Sequence, residues 1–152
     1  MKVKSQISIN ASKNSVWAKI IDIKKSAEFI KGIENIEIVN EPLNGINGLK
    51  WRETRIYFGK PATIEKWITE SNPNTSYKTK AESDGFIFET TNIIEDSNNS
   101  VILTSIHETI ATGIIAKLKS LPMIFFKGFL RKTIHADLID IKDVVEKNSK
   151  EV

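Results

Sequence analysis

The sequence of 152 residues contains no cysteine. Disulfide bonds, thiolate nucleophiles and thiolate metal sites are therefore excluded. Proline (four) and glycine (seven) are also scarce, whereas the hydrophobic share (40%) and the charged share (27%) are those of an ordinary folded domain. A chain of this length buries enough surface for one core, so we predict a single domain over residues 1–152.

No strong excess of one charge is present, because 22 Lys and Arg stand against 19 Asp and Glu. The charges are interspersed except at Lys24-Lys25 and Arg131-Lys132, so no nucleic-acid surface is predicted. No apolar run approaches the ~20 residues that span a bilayer. The sequence that follows Met1 lacks the apolar segment of a secretory signal. These absences predict a cytoplasmic protein without a membrane span.

Hydrophobic periodicity predicts the order of the elements. Alternation from Val3 to Ile9 indicates a first strand, and Ser12 is placed to cap a following helix. A second short helix over about Ser26–Ile30 is predicted to stop at Gly32. Closely spaced turn residues leave room for six strands between Asn35 and Ile110.

The last segment carries an apolar stripe with helical spacing, which begins after Pro122 and consists of Met123, Leu130, Ile134, Leu138, Ile141 and Val145. We therefore predict an α+β protein with a seven-stranded curved antiparallel sheet wrapped on a long C-terminal helix, and two short helices between strands 1 and 2. Such an arrangement usually leaves a hollow between sheet and helix, which favours the binding of a small apolar molecule.

Turn positions predict which side chains face this hollow. A two-residue turn at Gly59-Lys60 places one set on the concave face, namely Trp51, Glu53, Arg55, Tyr57, Ile64, Lys66 and Ile68. A turn over Glu82–Gly85 adds Tyr77, Phe86 and Phe88. On the last strand we predict Glu108 inward and His107 outward. The alternative is that Glu53, Arg55 and Lys66 form a solvated cluster on the outer surface.

Catalytic and metal-binding motifs are not apparent. The only histidines are His107 and His135, without a serine elbow or metal-ligand spacing, and no phosphate-binding glycine loop is present. We interpret Asp137, Asp140 and Asp143 as a solvated acidic ridge on the last helix. The sequence therefore predicts no metal and no cofactor.

Several segments resemble a known superfamily. The stretch 9–23 and the later pair Phe29-Ile30 resemble the opening of the START-like helix-grip superfamily, also called SRPBCC. The segments that begin at Trp51 (WRETR), Phe58 (FGK) and Leu138 (LIDIK) resemble its polyketide cyclase/dehydrase-like branch. This resemblance extends from about Val3 to Glu146. It implies a hydrophobic ligand cavity between sheet and last helix, but no catalytic residue, since members range from lipid and hormone binders to aromatase/cyclases.

Two functions remain open, and binding is favoured. In the first, the cavity holds a lipid, isoprenoid or polyketide-like molecule against Trp51, Tyr57, Ile64, Tyr77, Phe86, Phe88, Phe125 and Phe129, with Glu53, Arg55 and Lys66 near its polar end. In the second, a cyclase or dehydratase uses Glu53 or Glu108 as a proton shuttle and Tyr57 or Tyr77 as donor. A third hypothesis is a homodimer formed through Phe126 and Phe129.

Overall fold

A computed structural model describes residues 1–114, 117 and 122–150. Its seven strands form one antiparallel sheet in the order β1-β7-β6-β5-β4-β3-β2. The strands are β1 (Lys2–Ile9), β2 (Ile33–Asn40), β3 (Lys50–Tyr57), β4 (Lys60–Asn72), β5 (Ser76–Ser83), β6 (Phe86–Ser97) and β7 (Ser100–Ala111). Two short helices lie between β1 and β2, α1 (Lys13–Ile20) and α2 (Ser26–Phe29), and the long helix α3 (Met123–Lys150) follows β7. The predicted helix-grip fold is confirmed.

Local sequence explains where the helices form. The Ser15 backbone N–H donates to the Ser12 hydroxyl over 3.1 Å, which caps α1 as predicted. Helix α3 begins directly after Pro122, a residue that suits the start of a helix because it has no N–H to leave unpaired. Its apolar stripe packs into the concave face of the sheet, where Ile134, Leu138, Ile141 and Val145 are buried. The spacing of Ile114, Leu118 and Leu121 also predicts a helical segment before Pro122, most of which lies outside the described residues.

Three β-hairpins close through two-residue turns in which both residues have positive φ. These turns are Phe58-Gly59, Asp84-Gly85 and Asn98-Asn99. This conformation matches the right-handed twist of the strands that it joins. The predicted turns at Gly59-Lys60 and Glu82–Gly85 were wrong, because Tyr57 pairs with Lys60 and Ser83 with Phe86. Each register differs from the prediction by two residues, so the predicted faces of β3, β4, β5 and β6 are retained.

The faces predicted for β7 were wrong. Asn92 pairs with Ser105 and Thr90 with His107, so His107 points into the concave face and Glu108 points outward. Glu108 instead forms an ion pair at 2.7 Å with Lys2, which lies opposite it on the neighbouring strand β1. The two faces of this strand are nearly equal in apolar content, so that content does not distinguish them. The Asn98-Asn99 turn fixes the register and would have given the correct faces.

Phe58 occupies a turn position that is unfavourable for its side chain. Its φ is +51°, a region that costs an ordinary residue about 1–2 kcal/mol and suits asparagine or glycine. We expect Phe58→Asn, which creates an Asn-Gly turn, to raise the free energy of unfolding by about 1 kcal/mol. Urea denaturation measures this change. An unchanged or lowered stability would show that the stacking of Phe58 on Phe129 outweighs the turn strain.

Candidate functional site

A cavity of about 110 Å³ lies between the concave face of the sheet, α1, α2 and α3. Its walls come from residues distant in sequence that the sheet and the three helices bring together. The helix side and β2 contribute mainly apolar side chains: Ile20, Ile23, Phe29, Ile30, Ile33, Ile134, Leu138 and Ile141. A cavity of this size is comparable to the ~150 Å³ engineered cavity that binds benzene.

The sheet side of the cavity is polar, and we call it the polar floor. It consists of Glu53, Arg55, Lys66, Tyr77, Thr79, Thr90, Asn92, Ser105 and His107, with Trp51 at its edge. These side chains come from the inward positions of β3 to β7. Every buried side-chain polar atom among the described residues has a hydrogen-bond partner. The cavity is therefore amphipathic: its sheet side is polar, and its helix side is mainly apolar but includes Lys19, Ser26 and Asp137.

A chain of four charged groups crosses one end of the polar floor. Glu53 Oε1 accepts from Arg55 Nε at 2.6 Å and from Lys66 Nζ at 2.8 Å. The Arg55 guanidinium also donates to both Asp137 oxygens, at 2.8 and 3.2 Å, and so joins β3 to α3. The two cations and two carboxylates balance. This pairing offsets the free-energy cost of burying the four groups, because each charge lies beside a group of opposite charge.

Glu53 is held as a carboxylate. Only 5% of the residue is exposed, and burial alone would raise its pKa. The charges of Lys66 and Arg55, and their hydrogen bonds, outweigh this effect and lower the pKa of Glu53 to about 2. At neutral pH Glu53 therefore accepts hydrogen bonds and has no proton to donate.

Gly32 makes room for the contact between Arg55 and Asp137. A Cβ atom at this position would lie 2.9 Å from an Arg55 guanidinium nitrogen and 3.2 Å from an Asp137 oxygen. Our prediction that Gly32 terminates the second helix was wrong, since α2 ends at Phe29. The glycine is needed for close approach of the backbone to an ion pair and not for a helix cap.

His107 lies on β7, at the side of the polar floor opposite β3. Its Nδ1 is 3.2 Å from the Thr90 hydroxyl and its Nε2 is 3.0 Å from the Ser105 hydroxyl. Burial and the nearby charges of Lys66 and Arg55 lower the pKa of His107 to about 3. The imidazole is therefore neutral at physiological pH, and each of its ring nitrogens can donate or accept according to the tautomer.

The structure brings together only part of the predicted site. Five of the eleven predicted ligand-binding residues line the cavity: Trp51, Glu53, Arg55, Lys66 and Tyr77. The other six, Tyr57, Ile64, Phe86, Phe88, Phe125 and Phe129, are not among the lining residues. Phe125 is 88% exposed, and Phe129 contacts Tyr57 and Phe58 outside the cavity. Sequence reasoning thus placed too many aromatic rings in the cavity wall.

Five polar groups of the cavity were not predicted: Lys19, Ser26, Ser105, His107 and Asp137. His107 was predicted on the outer face of β7, and Ser105 shares its face. Asp137 was interpreted as part of a solvated ridge, but it binds Arg55, and Asp140 is also buried and pairs with Lys31 at 3.0 Å. The position of Asp137 beside the inward residues Ile134 and Leu138 on the helix was the available signal.

Comparisons with known proteins identify the fold. No family model matches the sequence, and no curated protein is similar enough to be recognised as a relative. Solved structures do match along nearly the whole chain. Protein TTHA0849 from Thermus thermophilus has a TM-score of 0.81 at 15% identity, covering 98% of this chain and 99% of the other. A START superfamily protein from Mycobacterium smegmatis has a TM-score of 0.79 at 15% identity, covering 96% and 97%.

The aromatase/cyclase Zhui from Streptomyces sp. R1128 is also similar, with a TM-score of 0.76 and 15% identity over 98% of this chain and 95% of its own. The protein therefore has the START-like helix-grip fold, as the sequence resemblance implied. Identities of this size establish the fold and leave the ligand to be argued from the cavity. Among the described residues, no helix is long and apolar enough to cross a membrane, and no cluster of His, Asp and Glu is arranged to hold a metal ion.

Proposed function

We propose that this protein binds a small amphipathic molecule in the cavity, with its polar group on the polar floor and its apolar part against α1, α2 and α3. The observation that carries the proposal is that one cavity has a polar floor on its sheet side and mainly apolar walls on its helix side. Apolar pockets with a few convergent polar groups are typical ligand sites. The START-like fold, which also occurs in lipid binders and aromatase/cyclases, supports the same class of function.

The volume limits the size of the ligand. Pockets that bind drug-sized ligands have volumes of about 300–1,000 Å³, whereas this cavity has about 110 Å³. The cavity therefore accommodates a single ring or a short chain with one polar group. A lipid, isoprenoid or polyketide of the kind suggested by the sequence would require the helices to move away from the sheet. We therefore favour a small ligand.

Two features count against the alternative acid–base enzyme. Glu53 is ionised at neutral pH and already accepts from two cations, so it cannot supply a proton. Glu108 points away from the cavity, and the Tyr77 hydroxyl donates to the Ile20 carbonyl at 3.2 Å, while burial raises its pKa. Three of the four candidate groups, Glu53, Glu108 and Tyr77, are thus engaged in other contacts. The fourth, Tyr57, is not among the lining residues, and its ring packs against Phe129.

Phenol and benzene test the proposal as a matched pair of probes. Both have the size of the cavity, and only phenol can hydrogen-bond to the polar floor. We expect phenol to bind about fivefold more tightly than benzene, which corresponds to one net hydrogen bond. Backbone amide chemical shifts in NMR spectra follow the titrations. On addition of phenol, the largest shift changes should be those of Thr90, Ser105 and His107.

Isosteric variants provide the control. Thr90→Val and Ser105→Ala remove hydroxyl groups of the polar floor and should reduce the preference for phenol while leaving benzene binding similar. Thr63→Val removes a hydroxyl from an exposed pair with Thr54 and should change neither affinity. Equal affinity of the native protein for both probes, or shifts confined to residues outside the cavity, would contradict the proposal.

A further inference from the structure

The segment between Glu108 and Asp137 has an unusual charge composition. It contains five Lys or Arg residues and no Asp or Glu. Since the whole chain has a net charge of only +3, the remainder of the chain is slightly acidic. The net positive charge of this protein therefore comes from one segment, which follows β7 and includes the first turns of α3.

Exposed aromatic rings lie in the same region, and we call them the aromatic tip: Phe58, Phe125, Phe126 and Phe129. Phe125 and Phe129 are one turn apart on α3, and Phe129 stacks on Phe58 with ring centroids 5.2 Å apart. Phe58 is 77% exposed and Phe126 is 50% exposed. Contiguous exposed apolar groups of this kind mark interaction surfaces.

The backbone at Phe58 gives an independent indication of function. Because Phe58 is largely exposed, its ring contributes little hydrophobic stabilisation. Its positive φ is a conformation that bulky residues rarely adopt. Asparagine or glycine would suit the turn better. Local strain is often retained at functional sites, so the unfavourable backbone at Phe58 is consistent with a role for its exposed ring.

Cations accompany the aromatic tip. Lys60 in the adjacent hairpin and Lys127, Arg131 and Lys132 on α3 are exposed, and within the described ranges none of them forms an ion pair with a carboxylate. The β5–β6 hairpin at the same end of the sheet carries Glu82 and Asp84, but Glu82 is paired with Lys80 at 2.8 Å. The tip thus combines an apolar centre with unneutralised positive charge.

We propose that the aromatic tip, with these cations, docks on an anionic lipid surface. Phenylalanine rings insert into the interface between headgroups and acyl chains, and Lys and Arg around them attract anionic headgroups. A second copy of this chain fits less well, because a symmetric contact would bring the same cations together without acidic partners. The proposal does not depend on the ligand of the cavity.

Co-sedimentation of the purified protein with vesicles tests this inference. We expect binding to vesicles of phosphatidylcholine mixed with phosphatidylglycerol, little binding to phosphatidylcholine alone, and loss of binding at high salt. The variant K127Q/R131Q/K132Q should lower the partition coefficient about 100-fold, at about fivefold per charge. The variant F125S/F126S should also lower it strongly, and since these residues are exposed the fold should be retained.

Matched controls separate the aromatic tip from general charge and hydrophobicity. The variant K4Q/K25Q/K147Q removes three exposed lysines elsewhere, and Leu43→Ser removes a fully exposed leucine from the β2–β3 loop. Both should bind vesicles like the native protein. If K4Q/K25Q/K147Q lost as much vesicle binding as K127Q/R131Q/K132Q, the proposal would be overturned. Dimerisation abolished by F125S/F126S, or tight binding of single-stranded RNA with no vesicle binding, would overturn it in favour of those partners.

Discussion

Replacing Glu53 by glutamine is expected to lower the free energy of unfolding by about 3–5 kcal/mol, the cost of removing one partner from a buried ion pair. Glu53 is the only carboxylate bonded to Lys66 among the described residues, and it shares Arg55 with Asp137. The neutral amide leaves an excess positive charge in the interior. Chemical denaturation of the native protein and of Glu53→Gln measures the difference, once the two denaturant slopes have been compared.

Glu65→Gln is the matched control for this substitution. Glu65 lies on β4 with a half-exposed side chain and contacts two cations, Lys50 at 3.4 Å and Arg52 at 3.5 Å. Because exposed pairs contribute little, the loss should be below about 1 kcal/mol. A Glu53→Gln variant as stable as Glu65→Gln would show that the buried network does not stabilise the fold, and would favour the solvated surface cluster.

Stability should also fall on mild acidification because of His107. The pKa of His107 is about 3 in the folded protein and near 6.5 when unfolded, so the unfolded chain binds more protons between these values. The contribution of neutral His107 to the free energy of unfolding is fully present above about pH 6.5 and is lost as the pH falls towards 3. We expect a loss of about 2 kcal/mol between about pH 7 and about pH 5.

The substitution His107→Gln isolates this contribution. Glutamine cannot titrate, so the variant should lose this part of the pH dependence whatever its absolute stability. Glu53 does not interfere in this range, because its contribution is lost only as the pH falls from about 4.5 towards 2. His135→Gln, on an exposed part of α3, serves as the control. A pH dependence as steep in His107→Gln as in the native protein would contradict the buried, neutral state of His107.

The fold could be predicted from the sequence because its signals are local and repeated. Alternation in β1, the cap at Ser12 and the stripe of α3 each determine an element without reference to distant residues. The faces of β3 to β6 were also predictable, since an error of two residues in a hairpin register leaves the faces unchanged. In β7 the two faces are nearly equally apolar, so only the Asn98-Asn99 turn carried the information.

The site was harder to predict because it depends on distant contacts. The pairing of Arg55 with Asp137 joins residues 82 positions apart and requires the absence of a side chain at Gly32. Periodicity cannot indicate such an approach. The size of the cavity is likewise set by how far α3 lies from the sheet, and aromatic residues such as Phe86 and Phe129 that could have lined it pack elsewhere.

The position of phenol in a crystal structure of the protein tests the amphipathic cavity most directly. We expect one molecule between the sheet and α3, with its hydroxyl within hydrogen-bond distance of Thr90, Ser105 or His107 and its ring against Ile20 and Leu138. A cavity that contains only ordered water in crystals saturated with phenol, or phenol bound with its hydroxyl towards the helices, would contradict it.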